Sequence, residues 1–273
     1  MKTRRLITVA DDFGLSVHVN EAVEQAARNG ILTSASLMVA APAAADAVRR
    51  AHAMAGKLHV GLHVVTIEGA ACLAYEKIPD IVGANGAFGS AQLALSLRYA
   101  VSARARRQLA AEIRAQFEAF RETGLTLDHA NAHKHMQLHP VIGQMIIDIG
   151  RDFGLRALRI PAEPPTPGVP RTHGDRALYA WTRVLRAQAK RAGLITNDHI
   201  LGLGSSGHMT PALVQRLIDS LPEGLTELYF HPATESDPAL KQTMPGYEHT
   251  QELAALLTAR VPENVMLTSY SRI

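Results

Sequence analysis

The sequence predicts an α/β protein built on a mainly parallel sheet, and three observations carry that reading. Short apolar runs rich in β-branched residues alternate with amphipathic stretches about eight times, the rhythm of strand–helix–strand units whose helices cover the sheet. The chain has 273 residues, a length at which a (β/α) barrel is the simplest closure and a doubly wound open sheet is the competitor. Two stretches break the rhythm, and both follow the C-terminal ends of strands, the face on which a barrel builds its site.

The elements follow in order. A first strand is expected over Arg5–Asp11, and Ser16 is placed to cap a helix over Val17–Asn29. Strand Ser34–Val39, helix Ala43–Ala55 and strand Lys57–Val65 come next. Thr66–Ser102 is a long insertion with turn signals at Gly83 and Gly86. Helix Ala103–Glu122, strand Leu125–His133, helix Pro140–Phe153 and strand Ala157–Pro161 resume the alternation. A second insertion, 162–174, carries Pro164, Pro165, Pro167 and Pro170, which excludes regular structure there. Helix Arg176–Ala192, strand Asp198–Leu203, helix Pro211–Ser220, strand Glu227–His231, helix His249–Ala259 and strand Val265–Tyr270 complete the chain. No repeat, low-complexity tract or linker divides it, so residues 1–273 read as one domain with inserted loops at about 66–102 and 162–174.

Composition removes several classes of function. With 47% hydrophobic and 19% charged residues the chain is not disordered. Cys72 is the only cysteine, which rules out an internal disulfide, a Cys-based zinc site and a CxxC redox pair. The net charge is +3, and no long basic run or aromatic-rich patch accompanies it, so no nucleic acid is expected as a partner. The apolar run Leu6–Ala10 after the N-terminal basic residues is shorter than the ~7–15 residues of a signal-peptide core and ends on Asp11 and Asp12. No stretch approaches the ~18 apolar residues of a spanning helix. These features predict a soluble, cytoplasmic protein.

The chain carries 13 histidines, and their placement points to chemistry. Ala10-Asp11-Asp12-Phe13-Gly14 sets adjacent carboxylates at the end of an apolar strand, an unfavourable pairing unless a cation or shared proton relieves it. In His59-Val60-Gly61-Leu62-His63, strand periodicity puts both histidines on one face, with His63 level with Asp12. In Asp128-His129-Ala130-Asn131-Ala132-His133-Lys134-His135 the same periodicity aligns His129, Asn131, His133 and His135 if the strand continues. His133 is then the first choice as a ligand, His135 the second, and His129 lies deeper as support. Tyr229-Phe230-His231-Pro232 ends another strand on a histidine.

One Asp and two His supply three ligands with positions left for water, the pattern of a catalytic ion. Nitrogen ligands favour Zn²⁺ or another transition metal over Mg²⁺. Asp11 is then left as general base and His231, across the pocket, as general acid, a set suited to hydrolysis of an amide or ester. Ser205-Ser206-Gly207 lacks the GxSxG elbow, and the glycines around it match neither a phosphate loop nor a dinucleotide fingerprint.

At these residues the sequence resembles the YdjC-like carbohydrate deacetylases, which include the diacetylchitooligosaccharide deacetylases. The matching pieces are ADDFGLS with Val19-Asn20, LTSASLMV, GLH, DHANAHKHMQLHP, LRIP and FHP, spread from residue 10 to about 232. The resemblance implies a distorted (β/α) barrel of the polysaccharide-deacetylase type and metal-dependent removal of an N-acetyl group from an amino sugar. It implies Asp12, His63 and His133 as metal ligands, Asp11 as base and His231 as acid. Arg159, at the family's Arg-x-Pro position, is implied to orient Asp11 or bind substrate, and His135 is assigned to substrate binding.

Two positions depart from the family pattern. Asn131-Ala132 stands where an Asp-Ser is frequent, and Ala233 where a glycine often follows the His-Pro pair. RIPAEPP and FHPATES look most like the subgroup associated with hopanoid biosynthesis. That likeness implies a glycolipid substrate, N-acetylglucosaminyl bacteriohopanetetrol. Leu93–Val101 and Tyr179-Ala180-Trp181, beside Arg98, Arg104, Arg106 and Arg107, would supply its apolar approach and a peripheral contact with the inner membrane surface. The competing readings are a deacetylase of soluble chitooligosaccharides, a metal phosphoesterase and a non-catalytic sugar-binding barrel. The oligomeric state is left open.

Overall fold

In the computed structural model, which describes residues 3–164 and 173–273 (173–178 for their backbone alone), the first strand forms the spine. β1 (Arg4–Phe13) is buried from Leu6 onward, as a central strand covered on both faces must be. The alternation continues through α1 (Val17–Asn29), β2 (Ser34–Leu37), α2 (Ala44–Ala53), β3 (His59–Val64), α3 (Gln92–Val101), α4 (Ala103–Glu122), β4 (Leu127–Ala132) and α5 (Pro140–Asp152). It closes with α6 (His173–Arg191), β5 (His199–Leu201), α7 (Pro211–Asp219), β6 (Gly224–Phe230), α8 (Pro238–Thr243), α9 (His249–Thr258) and β7 (Val265–Leu267). Ser16 caps α1 as expected, its side chain accepting from the Val19 N–H.

The strands run parallel in the order β4-β3-β2-β1-β6-β5, with β7 paired to the start of β1. The sheet curls into a half-barrel rather than staying an open doubly wound sheet. The gap between β4 and β5 is spanned by the predicted strand Ala157–Pro161, which forms no regular ladder. It meets its neighbours through single bridges, Ala130 to Leu158 and Ala157 to Ile195, and through the Ile200 N–H to the Ala162 carbonyl. Pro161 has no N–H to give, so a ladder cannot extend through it.

Two further boundaries differ from expectation. The fourth strand stops at Ala132, and His133–Leu138 turns as a short 3-10 segment. The 66–102 segment holds a helix, α3, after a small antiparallel contact between Ala70 and Ala87. The irregular stretch expected at 162–174 lies largely outside the described residues. No helix among the described residues is long and apolar enough to cross a membrane.

Candidate active site

The C-terminal ends of β1, β3 and β4 bring three predicted residues together. Asp12 Oδ1 lies 3.1 Å from His63 Nε2 and 3.0 Å from His133 Nδ1, and the two nitrogens are 3.4 Å apart. All three residues are buried. Four-coordinate zinc with bonds of ~2.0–2.1 Å sets its ligand atoms about 3.3 Å apart, so this triangle has the size of one face of such a shell. The three are the one set of His, Cys, Asp and Glu among the described residues that could hold a metal ion.

Backbone geometry explains how adjacent aspartates reach one pocket. On a regular strand Asp11 and Asp12 would point to opposite faces. Asp12 instead adopts φ 59°, in the left-handed region, and the β1–β2 register shifts between Ala10 and Phe13. Asp tolerates that conformation better than most residues. The kink turns both carboxylates inward and lets Gly14 (φ 98°) lead the chain away.

Asp11 stays out of the triangle. Arg159, fully buried, grips it with Nη1 to Oδ2 at 2.5 Å and Nη2 to Oδ1 at 2.9 Å, and uses Nε on Glu227 at 2.5 Å. Tyr270 donates its hydroxyl to the other Glu227 oxygen at 2.5 Å. Burial would raise the Asp11 carboxyl, but the Arg159 guanidinium and nearby histidines hold it well below the usual carboxylate range. Asp12 is likewise held far down, its burial outweighed by His133 and His63. Arg159 is taken up by Asp11 and Glu227, so Asp12 has no guanidinium of its own and faces only the two imidazoles. Asp12 Oδ2 and His133 Nε2 are also buried without a hydrogen-bond partner. The donor set, two imidazole nitrogens and a carboxylate oxygen at this spacing, fits an ion at this triad.

A chain of side chains beneath the triad sets the orientation of His63. Asn131 gives its two N–H groups to Asp11 Oδ1 (3.1 Å) and Ser36 Oγ (2.8 Å), so its oxygen is left to accept from His63 Nδ1 at 2.6 Å. That bond puts a proton on Nδ1 and aims Nε2 at Asp12 and His133; despite burial, Asp11 and Asp12 raise His63, so Nε2 holds a proton toward Asp12 unless an ion takes its place. Ser36 in turn donates to His129 Nε2 (3.0 Å), and His129 Nδ1 donates to Asp128 (2.8 Å). Gly61 makes room for this line, since a Cβ there would sit 2.6 Å from the His129 ring and carbonyl. His129 is therefore support below the site, as its depth on the strand predicts.

His135 does not join the triad. The strand ends before it, and Lys134 (φ 51°) and His135 (φ 54°) both turn left-handed, which breaks the shared face. Its ring instead meets Tyr229 edge-on at 5.3 Å, and burial next to Arg159 lowers it to about 3. His231, at the end of β6, sits between Tyr229 and Tyr247 with ring centroids 5.5 and 5.1 Å away. Its Nδ1 points toward Glu252, 4.0 Å off, and its backbone N–H donates to the same carboxylate. Burial lowers His231 to about 4, against the pull of Asp12 and Asp11, so the resting ring is neutral near pH 7. Burial pushes Glu252 up to about 7 despite three backbone N–H donors.

Next to the ligand-bearing strand ends lies a cavity of about 510 Å³. Leu15, Met38, Val65 and Phe88 give it aliphatic and aromatic walls, and the Glu68–Lys134 ion pair sits at one side. Sequence reasoning places Asn131 only among the residues on the histidine face and does not single out Ser36, Glu227 and Glu252. The available signal was polar residues inside otherwise apolar strands, such as Glu227 within GLTELYF.

The fold and site together define a parallel half-barrel whose C-terminal face gathers an Asp, a His and a second His that could hold an ion. The chain matches the family described as YdjC-like protein over residues 5–265, and it belongs to that family. It is 25% identical over 264 residues to a carbohydrate deacetylase of Brevibacillus brevis, spanning 96% of this chain and 94% of the relative. It is 29% identical over 253 residues to a carbohydrate deacetylase of Mus musculus, spanning 86% and 79%. Among solved structures, a protein from Enterococcus faecalis described as a cellobiose-phosphate cleavage protein superposes with a TM-score of 0.78 at 21% identity, covering 99% of this chain and 98% of its own. That likeness is one of fold.

Proposed function

We propose that the protein is a metal-dependent hydrolase that removes the acetyl group from an N-acetylglucosaminyl substrate. The observation that carries this reading is the buried Asp12–His63–His133 triangle with Asp11 held beside it by Arg159. A divalent ion there, zinc by its two nitrogen ligands, with Mg²⁺ or another transition metal as the alternative, would polarise the acetyl carbonyl and lower the pKa of a water.

Asp11 takes a proton from the attacking water. A carboxylate held this low is a weak base, and an ion held by Asp12, His63 and His133 would supply the acidity that its water partner needs. Arg159 keeps Asp11 ionised and aimed. The water oxygen bonds the acetyl carbon; His231, neutral at rest, takes the proton from Asp11 and gives it to the departing nitrogen, the C–N electron pair goes to that nitrogen, and acetate and the amine leave. His135, beside Tyr229 and outside the triad, is assigned to substrate contact.

The preferred substrate is the lipid-linked N-acetylglucosaminyl bacteriohopanetetrol. What supports it is the cavity's mixed lining: Leu15, Met38, Val65 and Phe88 suit an apolar aglycone, and polar residues such as Asn85, Lys134 and Gln242 suit the sugar it carries. The same reading places the protein in the cytoplasm with peripheral contact at the inner membrane surface.

The test is purified protein, with and without chelator, against the glycolipid and against acetylated chitobiose, read by mass spectrometry for loss of acetyl. Loss from the glycolipid, abolished by chelator, is expected. Activity on chitobiose alone overturns the substrate and leaves the reaction. Asp11→Asn should bind metal normally yet lower turnover by about 10²-fold or more, and full acetate release by that variant removes Asp11 as base.

A further inference from the structure

The outward side of α3 is unusual for a helix on a protein surface. Leu93, Leu97 and Val101 fall four residues apart on one face and are 84%, 61% and 70% exposed, while Leu95 and Tyr99 anchor the opposite side. Monomeric proteins rarely leave such a row bare. The flanking charge has one sign. From Gln92 to Ala110 there is no Asp or Glu, and Arg98, Arg104, Arg106 and Arg107 supply four cations. Arg98 and Arg106 bond the Asp80 and Ala100 carbonyls, each at 2.6 Å. Arg104 pairs with Asp80 at 2.9 Å, and Arg107 makes no ion pair with a described residue.

The row lies by the mouth of the site. Phe88 and Ser90 line the cavity, and the Ser90 carbonyl accepts from the Gln92 N–H that opens α3. His139 Nε2 bonds the Ser96 carbonyl at 3.0 Å. Trp181 donates to the Leu138 carbonyl at 2.6 Å with its indole 39% exposed. Helix and tryptophan therefore flank the turn that begins with His133.

We infer that α3 and Trp181 form a docking surface for an anionic phospholipid bilayer. The Leu93–Leu97–Val101 row would lie at the headgroup–acyl boundary, Trp181 at headgroup level, and the arginines on lipid phosphates. An apolar helix face whose own segment carries four cations and no carboxylate, with Asp80 paired to Arg104 beside it, is complementary to that surface. A second copy fits less well, because a two-fold contact would set the arginines of one copy near those of the other. The surface stands on these residues alone; its value in reaching a lipid-linked amide rests on the deacetylase reading.

The test is flotation with vesicles of phosphatidylcholine alone and with about one-third phosphatidylglycerol. The intact protein should float with the anionic vesicles and far less with neutral ones, and added salt should release it. L93D/L97D, at exposed positions, should keep the melting temperature and lose about tenfold or more in partitioning. R104Q/R107Q should lose about fivefold per arginine on anionic vesicles only. Acetate release from a soluble substrate should be unchanged in both variants, which separates this surface from the reaction. A protein that stays unbound, or a leucine variant that floats like the parent, overturns the inference. So does a dimer that L93D/L97D splits while the parent ignores vesicles.

Discussion

At the scale of single residues, Asn131 has the most leverage, because one amide faces both the base and a ligand. Its oxygen holds the His63 proton on Nδ1 and one N–H supports Asp11. Asn131→Ala leaves the imidazole without that restraint, and metal affinity should fall about 10–100-fold in a competition titration, the usual effect of losing such an outer partner. Glu252 gives a stability prediction with a defined sign. Folded, it holds its proton to about 7, against an ordinary 4.5. The native state therefore binds more protons between those values, and stability falls as pH rises from 4.5 to 7, by roughly 3 kcal/mol. Glu252→Gln keeps an oxygen for the N–H donors and cannot ionise. Its melting temperature should change less across that window than the parent's, and an unchanged slope would show that Glu252 does not control it.

At the scale of elements, the strand ends decide which residues meet. The alternation of the chain made the parallel strands legible, and period two on β3 and β4 aligned His63 with His129 and pointed to His133, which the structure sets just past the end of β4 with its Nδ1 3.4 Å from His63 Nε2. The same rule misplaced His135, because it assumed a strand that stops at Ala132. Side-chain period is lost once the backbone turns left-handed at Lys134 and His135, and nothing in the residue types announces that turn. The converse holds at Asp11 and Asp12: neighbouring carboxylates suggested one pocket, although strand geometry alone forbids it, and the φ of Asp12 supplies the reason. Polar partners such as Ser36 and Glu227 stayed hidden because their bonds join residues distant in the chain. Gly61 is the element-scale test. A methyl there must push against the His129 backbone as well as its ring, so Gly61→Ala should cost about 1–3 kcal/mol in urea unfolding and weaken metal binding in parallel.

At the scale of the whole molecule, the candidate ion and the fold should be linked. Ligands come from β1, β3 and the turn after β4, so binding ties together the first half of the sheet. An ion at 100 times its dissociation constant adds about 2.7 kcal/mol, which for a chain of this size is a rise of roughly 5–10 °C. Calorimetry with zinc and then with chelator should show that rise and its reversal, and Asp12→Ala should abolish it. One cooperative transition is expected if residues 1–273 form a single domain, as we propose; two separate transitions would divide it.

The seam between β4 and β5 has a consequence of its own. Residues 157–162 are joined to each side by isolated backbone bonds, too few to fasten a stave by themselves. Two side chains clamp it: Asn197 bonds both the N–H and the carbonyl of Ile160, and Arg159 reaches inward to Asp11 on β1 and Glu227 on β6. Arg159 thus works as a tie-rod for the wall and as the holder of the base, so whatever loosens that joint disarms the chemistry in the same stroke.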